Sequence, residues 1–139
     1  VLHSERRVVD AKTDIVLGDT MGELQVFFMA GDAAFIGGSL VRHGGHNPLE
    51  ASAVGVPVVF GPHMFNFAEI RQLILQHGAA TEVREAGELA RAVIDYLERP
   101  ERRARAGEAG QRMVAQNRGA LDNTLALVNR FLPVSEGDR

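Results

Sequence analysis

Three turns of this chain combine residue types and a spacing that favour the binding of a phosphorylated ligand. In each turn, a residue that can cap a helix stands three positions before a glutamate: the pairs are Thr20 and Glu23, Asn47 and Glu50, and Asn66 and Glu69. This is the spacing of a capping box, which satisfies free N–H groups at the start of a helix. Because a helix N-terminus is also partly positive, several of them aimed at one cleft attract an anion. The pattern indicates a nucleotide or sugar-nucleotide binder.

The glutamates of these turns have two interpretations. In the first, each side chain folds back onto its own helix start and stabilises it by about 1 kcal/mol or less. In the second, Glu23 and Glu50 contact the ligand. A carboxylate repels phosphate, so such a contact would be made with ribose hydroxyls, as acidic residues do in other α/β nucleotide sites. Glu69 is predicted to act as a cap.

Two glycine pairs, at residues 37–38 and 44–45, lie between the first and second of these segments. They predict a loop whose backbone approaches another group closely or takes a positive φ, with ordinary tight turns as the alternative. Neither G-x-G-x-x-G nor G-x-x-x-x-G-K-[ST] is present, so the usual dinucleotide and P-loop sites lose their main support.

Two histidines and a glutamate near the second pair have the side-chain types of metal ligands. They are His43, His46 and Glu50. Pro48 starts a helix between His46 and Glu50, so these two do not share a helical face. We therefore predict no metal site, and a histidine here is expected to hydrogen-bond to backbone or ligand.

Composition narrows the class of protein. The chain has 139 residues, a net charge of −3 and no cysteine. The length fits one domain, the charge argues against a nucleic-acid partner, and a disulfide framework or thiolate zinc site is excluded. No apolar run is long enough for a transmembrane helix. The arginine-rich segment 99–105 alternates with glutamates and predicts a solvated helix face, with a patch near anionic lipid as the alternative.

The turns are positioned by alternating strands and helices. Short apolar runs predict strands at 15–17, 33–36, 56–60 and 79–83, and helical periodicity predicts helices at 22–30, 48–54, 67–76, 86–98, 101–116 and 120–132. This order predicts an α/β fold, a Rossmann-like parallel sheet with helices on both faces. Ligands bind such sheets at the carboxyl ends of the strands, where all three turns fall. We expect a lead-in at 1–13, one domain at 14–132 and a flexible tail at 133–139.

Two long motifs then resemble a known family. The runs DTMGEL (19–24) and GGSLVRHGGHNPLEASAVGVPVVFGPHMFNF (37–67) are similar to the C-terminal part of the 3-deoxy-D-manno-octulosonic acid (Kdo) transferases of lipopolysaccharide synthesis. The similarity extends over residues 15–132. It implies an inverting glycosyltransferase of GT-B architecture, whose C-terminal domain binds CMP-Kdo. One departure is Ala51-Ser52 where the family often has Pro-Ala, and it lies within a predicted helix.

The resemblance also implies which residues bind the donor. The CMP-binding segments of the family fall on Met21, Gly22, Glu23, Asn47, Pro48, Leu49 and Glu50. Further donor-site neighbours are Gly38, Ser39, Gly45, His46 and Asn66. No catalytic residue is assigned, because the family's catalytic base belongs to an N-terminal domain that this chain does not contain.

The remaining expectations concern the intact protein. The resemblance implies a lipid A precursor as acceptor, membrane association through the N-terminal part, and action at the cytoplasmic face of the bacterial inner membrane. It implies no cofactor, since CMP-Kdo is a substrate, and an inactive chain in isolation. Two alternatives stay open: part of another GT-B enzyme, such as a UDP-sugar transferase or an epimerase, and a non-catalytic nucleotide-binding module.

Overall fold

Strands and helices alternate along the chain, as the periodicity predicts. The computed structural model describes residues 1–131, with side chains as far as residue 117. The strands are β1 (Ala34–Phe35), β2 (Val58–Phe60) and β3 (Ala80–Glu82). The helices are α1 (Leu24–Ala30), α2 (Leu49–Ala53), α3 (Ala68–Gln76), α4 (Ala86–Glu98) and α5 (Pro100–Phe131), and 3₁₀ helices lie at His3–Glu5 and Phe65–Phe67.

The three strands form one parallel sheet in the order β1-β2-β3. Ala34 is paired with Val58, and Val58 with Ala80. Parallel strands end at the same edge, so the loop after β1 and the loop after β2 meet there. The sheet therefore brings the glycine-rich segment 37–46 next to segment 61–67.

The core has two parts, one on each face of the sheet. Val58 and Phe60 are fully buried in a cluster that includes Ile74 of α3. Val59 points the other way, into a cluster with Tyr96 of α4. Successive strand residues alternate between faces, so one short buried strand contributes to both clusters. The predicted α/β fold, with helices on both faces of a parallel sheet, is confirmed.

One predicted strand does not join this sheet. Residues 15–17 make a single parallel bridge, between Leu17 and Leu2 of the lead-in, and Ile15 is exposed. The predicted four-stranded sheet is therefore wrong for the described residues, where three strands pair. The physical reason is that a three-residue apolar run forms a strand only where a neighbouring strand lies alongside it, and here the lead-in supplies just one bridge.

The C-terminal helices also differ from the prediction. Helices predicted at 101–116 and 120–132 form one helix, α5, which begins at Pro100, a position where the missing N–H of proline is harmless. No residue between the two segments removes a helical hydrogen bond. Gly119 lies there, but a glycine weakens a helix by only about 1 kcal/mol. The predicted tail at 133–139 lies outside the described residues. No described helix is both long and apolar enough to cross a membrane.

The arginines at the start of α5 make ion pairs. Arg103 contacts Asp32 at 2.7 Å, and both Arg99 and Arg102 contact Asp95 of α4. These pairs fasten the start of α5 to α4 and to the turn after α1. The segment is thus a helix face with its own acidic partners.

Candidate functional site

The turn at residues 47–50 combines a rigid backbone with a free carboxylate. Asn47 accepts a hydrogen bond from the Leu49 N–H through its side-chain oxygen, at 3.0 Å, and α2 begins at Leu49. Pro48 between them is buried. The exposed Glu50 carboxylate makes no hydrogen bond within the part of the chain that the structure describes, so the predicted reciprocal capping box is wrong. Glu50 is thereby left available to a ligand.

Glu50 lies on a cleft between helices. The Glu50 cleft has a volume of about 620 Å³ and is bordered by α1, α2, α3 and α5. Its lining residues are Gln25, Leu49, Glu50, Ala53, Glu69, Ile70, Leu73, Val114 and Asn117. Apolar side chains therefore form its walls, while two carboxylates and two amides can accept or donate hydrogen bonds. Such a lining suits a ligand with a flat or apolar part and several hydroxyl groups.

The turn at residues 20–23 differs from its prediction. Helix α1 begins at Leu24, and the Thr20 hydroxyl donates to the Glu23 carboxylate instead of accepting from a backbone N–H. The predicted capping box is therefore wrong here as well. The Thr20 hydrogen bond is the main cause that holds the pKa of Glu23 below its ordinary value, and the neighbouring His3 acts in the same direction. Glu23 is thus an ionised acceptor near neutral pH.

The two residues before Glu23 are open to solvent. Met21 is 97% exposed. Gly22 has a φ of +82°, a backbone conformation that favours glycine, and a Cβ atom there would meet nothing within 4 Å. Glycine is therefore present at this position for its backbone conformation. The exposed segment can contact a ligand without moving a core residue.

The third turn is part of a loop-to-loop contact. Asn66 lies within the 3₁₀ helix Phe65–Phe67, and α3 begins only at Ala68, so Asn66 does not cap it and the prediction is wrong. Instead, the Asn66 N–H donates to the Gly44 carbonyl at 3.3 Å. Glu69, predicted as the cap, lines the Glu50 cleft.

Close packing accompanies a positive φ at two glycines of the loop after β1. Gly38 and Gly45 have φ values of +70° and +72°. A Cβ atom on Gly45 would overlap Met64, and one on Gly38 would stand 3.1 Å from the ring of His43. The predicted close approach occurs, and its partners are side chains of the protein itself. His46 is exposed, with its ring centroid 6.2 Å from that of His43.

A buried serine joins the two loops. Ser39 is fully buried, donates to the Ile36 carbonyl at 2.5 Å and accepts from the Gly61 N–H at 2.8 Å. Its own carbonyl accepts from the His63 N–H at 2.9 Å. The hydroxyl is therefore committed to the protein. Ser39 was predicted as a neighbour of the donor; in the structure its hydroxyl fixes the loop that carries Gly38 and His46.

We expect Ser39→Ala to lower the free energy of unfolding by about 1–3 kcal/mol, because it leaves the buried Gly61 N–H without an acceptor. Urea denaturation of both proteins measures the difference. Ser4→Ala is the control, since it removes the same hydroxyl at a place where the hydrogen bond that it makes, to Asp19, is exposed to solvent. A Ser39→Ala variant as stable as Ser4→Ala would contradict the proposed role of this serine.

The predicted site residues do not all border one cleft. Glu50 and Leu49 line the Glu50 cleft, whereas Glu23 lines a second one, the Glu23 cleft, of about 470 Å³. The charged and imidazole groups on the Glu23 cleft are His3, Arg6, Arg7 and Glu23. Among the described residues, no three His, Asp or Glu side chains converge as a metal site would need.

Sequence reasoning missed several lining residues. Gln25 and Asn117 line the Glu50 cleft, and His3 and Arg6 line the Glu23 cleft. Only Gln25 had a local signal, since it follows Glu23 by two positions at the start of the same helix. The others are brought close by the path of the chain.

Comparison with known proteins identifies the family. The model of "Glycosyl transferases group 1" matches residues 3–113. The chain is 42% identical to the 3-deoxy-D-manno-octulosonic acid transferase of Haemophilus influenzae over 95% of its own length and 31% of that protein. The corresponding enzyme of Bordetella pertussis is 38% identical over 86% of this chain and 28% of that protein. The chain thus spans about a third of the length of these curated relatives.

A solved structure has the same fold. It is the C-terminal CMP-Kdo binding domain of WaaA from Acinetobacter baumannii, which aligns with a TM-score of 0.76 and 30% identity over 82% of this chain and 60% of that one. Sequence and structure agree, and the chain belongs to the group 1 glycosyl transferases.

Proposed function

We propose that this chain is the donor-binding part of an enzyme that transfers Kdo from CMP-Kdo to a lipid A precursor. The observation that carries the proposal is the turn at residues 47–50. It holds Glu50, with a free carboxylate, on the cleft between α1, α2, α3 and α5. The proposal is supported by relatives named as Kdo transferases and by a matching domain named for CMP-Kdo binding.

In this proposal each part of the site has a separate task. Glu50 accepts hydrogen bonds from the ribose hydroxyls, because an ionised carboxylate next to the phosphate would repel it. Helix α2 has five residues and offers only a few N–H groups. The phosphate is therefore expected to contact the exposed part of the loop, near Gly38 and His46. Asn47 and Pro48 hold the backbone that aims Glu50.

The chemistry takes place where donor and acceptor meet. A general base from a part of the protein outside this chain removes a proton from the acceptor hydroxyl, and the oxygen attacks the anomeric carbon of Kdo. The bond from that carbon to the phosphate breaks, CMP leaves, and the configuration inverts. No cofactor enters the scheme. The intact enzyme would combine two Rossmann-like domains in a GT-B arrangement and act on its lipid acceptor at the cytoplasmic face of the inner membrane.

Calorimetric titration of the chain with CMP and with UDP tests which nucleotide the chain binds. We expect CMP to bind at least about tenfold more tightly, a difference of about 1.4 kcal/mol. A preference for UDP would instead favour a UDP-sugar transferase or epimerase. Failure to bind either nucleotide would remove the donor-binding proposal.

The variant Glu50→Gln tests whether Glu50 contacts the nucleotide. We expect it to weaken CMP binding about tenfold, because a hydrogen bond to a charged acceptor contributes about 1.5–3 kcal/mol. The matched control is Glu98→Gln, which makes the same chemical change at an exposed glutamate at the end of α4. Equal CMP affinity in the two variants would show that Glu50 does not contact the nucleotide.

A further inference from the structure

The lead-in of the chain is fastened to the turn that precedes α1. The His3 N–H donates to the Leu17 carbonyl at 2.8 Å. The Ser4 N–H and hydroxyl both donate to the Asp19 carboxylate, at 2.8 and 2.5 Å. These bonds connect residues 14 or 15 positions apart and keep the 3₁₀ helix His3–Glu5 next to residues 17–23. The side chain of His3 therefore has a defined place.

That place lies between Glu23 and Phe27. The His3 Nε2 atom is 3.2 Å from Glu23 Oε2. The His3 ring packs edge-on against Phe27, with 4.8 Å between centroids and an angle of 78° between planes. Glu23 and Phe27 are four positions apart, so they lie one above the other on the same side of the start of α1. Together they form a slot that fits one imidazole ring.

Two polar groups beside Glu23 lie close to the same carboxylate oxygen. The Thr20 hydroxyl and His3 Nε2 approach Oε2. The other oxygen, Oε1, has no hydrogen-bond partner among the described residues. A carboxylate anchored on one side cannot rotate freely, so its second oxygen keeps one direction. Such preorganisation lowers the side-chain entropy that the protein loses when a ligand binds.

We infer that His3 is a positioning residue, which holds Glu23 so that Oε1 can accept a hydrogen bond from a hydroxyl group of the bound nucleotide. This inference rests on the proposed function. It extends the donor site of that proposal to include the lead-in of the chain. His3 acts through Glu23 and has no contact of its own with the ligand. Arg6 and Arg7 border the same cleft, and Arg6 also favours the charged form of Glu23.

A double-mutant cycle separates positioning from a purely structural role. The variants are His3→Leu, Glu23→Gln and their combination, and calorimetry measures the Kd of CMP for the 139-residue chain. We expect His3→Leu to weaken CMP about fivefold when Glu23 is present, and less than about twofold in the Glu23→Gln background. His3→Gln keeps a donor nitrogen at a similar distance along the side chain, and we expect it to stay within about twofold of the unsubstituted chain.

The outcomes are distinct. An equal loss from His3→Leu in both backgrounds would overturn the inference, because a structural role does not depend on the Glu23 charge. CMP binding that is unaffected by His3→Leu would overturn it while leaving the proposed function intact. A lack of CMP binding by the unsubstituted chain would overturn both. If the His3→Leu variant does not fold, His3→Asn replaces it in the same double-mutant cycle. The asparagine side chain is polar but too short to reach Oε2.

Discussion

Gly61→Ala is expected to lower the free energy of unfolding by about 3 kcal/mol. A Cβ atom at this position would overlap the Ser39 carbonyl oxygen and stand 2.5 Å from the Ser39 carbonyl carbon and 2.6 Å from the Leu40 nitrogen. All three are backbone atoms, so no side-chain rotation relieves the overlap. Overpacking of this kind costs about 1–3 kcal/mol or more. Urea denaturation, followed by far-ultraviolet circular dichroism, measures the change.

Gly37→Ala is the matched control for that variant. Gly37 belongs to the loop that contacts Gly61, but it is exposed and lacks a positive φ. The nearest atom to a Cβ at this position is in the His46 ring, at 4.0 Å. We expect its stability to change by less than about 0.5 kcal/mol. Similar stabilities for the Gly61 and Gly37 variants would mean that the two loops are not packed as described.

Gly107→Ala is expected to destabilise the chain by about 2–4 kcal/mol. Gly107 lies within α5, where alanine would normally add about 1 kcal/mol of helix propensity. Here a Cβ atom would overlap the Gly55 carbonyl oxygen and stand 2.9 Å from its carbonyl carbon. The clash outweighs the propensity gain because α5 must move away from the turn after α2. Thermal unfolding and urea denaturation both report this loss.

The same glycine-to-alanine substitution in α4 should increase stability instead. Gly87 is exposed, and a Cβ atom there would meet only the ends of two flexible side chains, Glu85 at 3.4 Å and Arg91 at 3.8 Å. We expect Gly87→Ala to stabilise the chain by about 0.5 kcal/mol through helix propensity. A loss at both positions would indicate that packing against Gly55 is not what separates them.

These glycines show how far sequence reasoning reaches. The pattern of Gly37-Gly38 and Gly44-Gly45 predicted a loop with unusual backbone, and Gly38 and Gly45 do have positive φ. Nothing adjacent to Gly107 distinguished it from a helix residue that alanine could replace. Its requirement comes from Gly55, which lies 52 positions earlier (107 − 55) and touches it only after folding.

The capping boxes failed for a related reason. Their spacing predicted hydrogen bonds between a side chain and a nearby N–H, and only Asn47 makes one, to Leu49. Thr20 bonds to the Glu23 carboxylate, and Asn66 is drawn to Gly44 of another loop. A cap stabilises a helix by about 1 kcal/mol, so a modest tertiary contact can replace it. The three turns are consequently unequal in the folded protein.

The sequence by itself determined the alternation of strands and helices, the parallel sheet and the family, because these depend on periodicity and on motifs of adjacent residues. The tertiary structure decided which of those residues can reach a ligand. In the folded protein Ser39 is buried, and the Glu50 carboxylate has no hydrogen bond among the described residues. Glu23 lies beside His3 on a second cleft. The physical reason is that such contacts join residues about 20 or more positions apart, and their energies depend on the path of the chain between them.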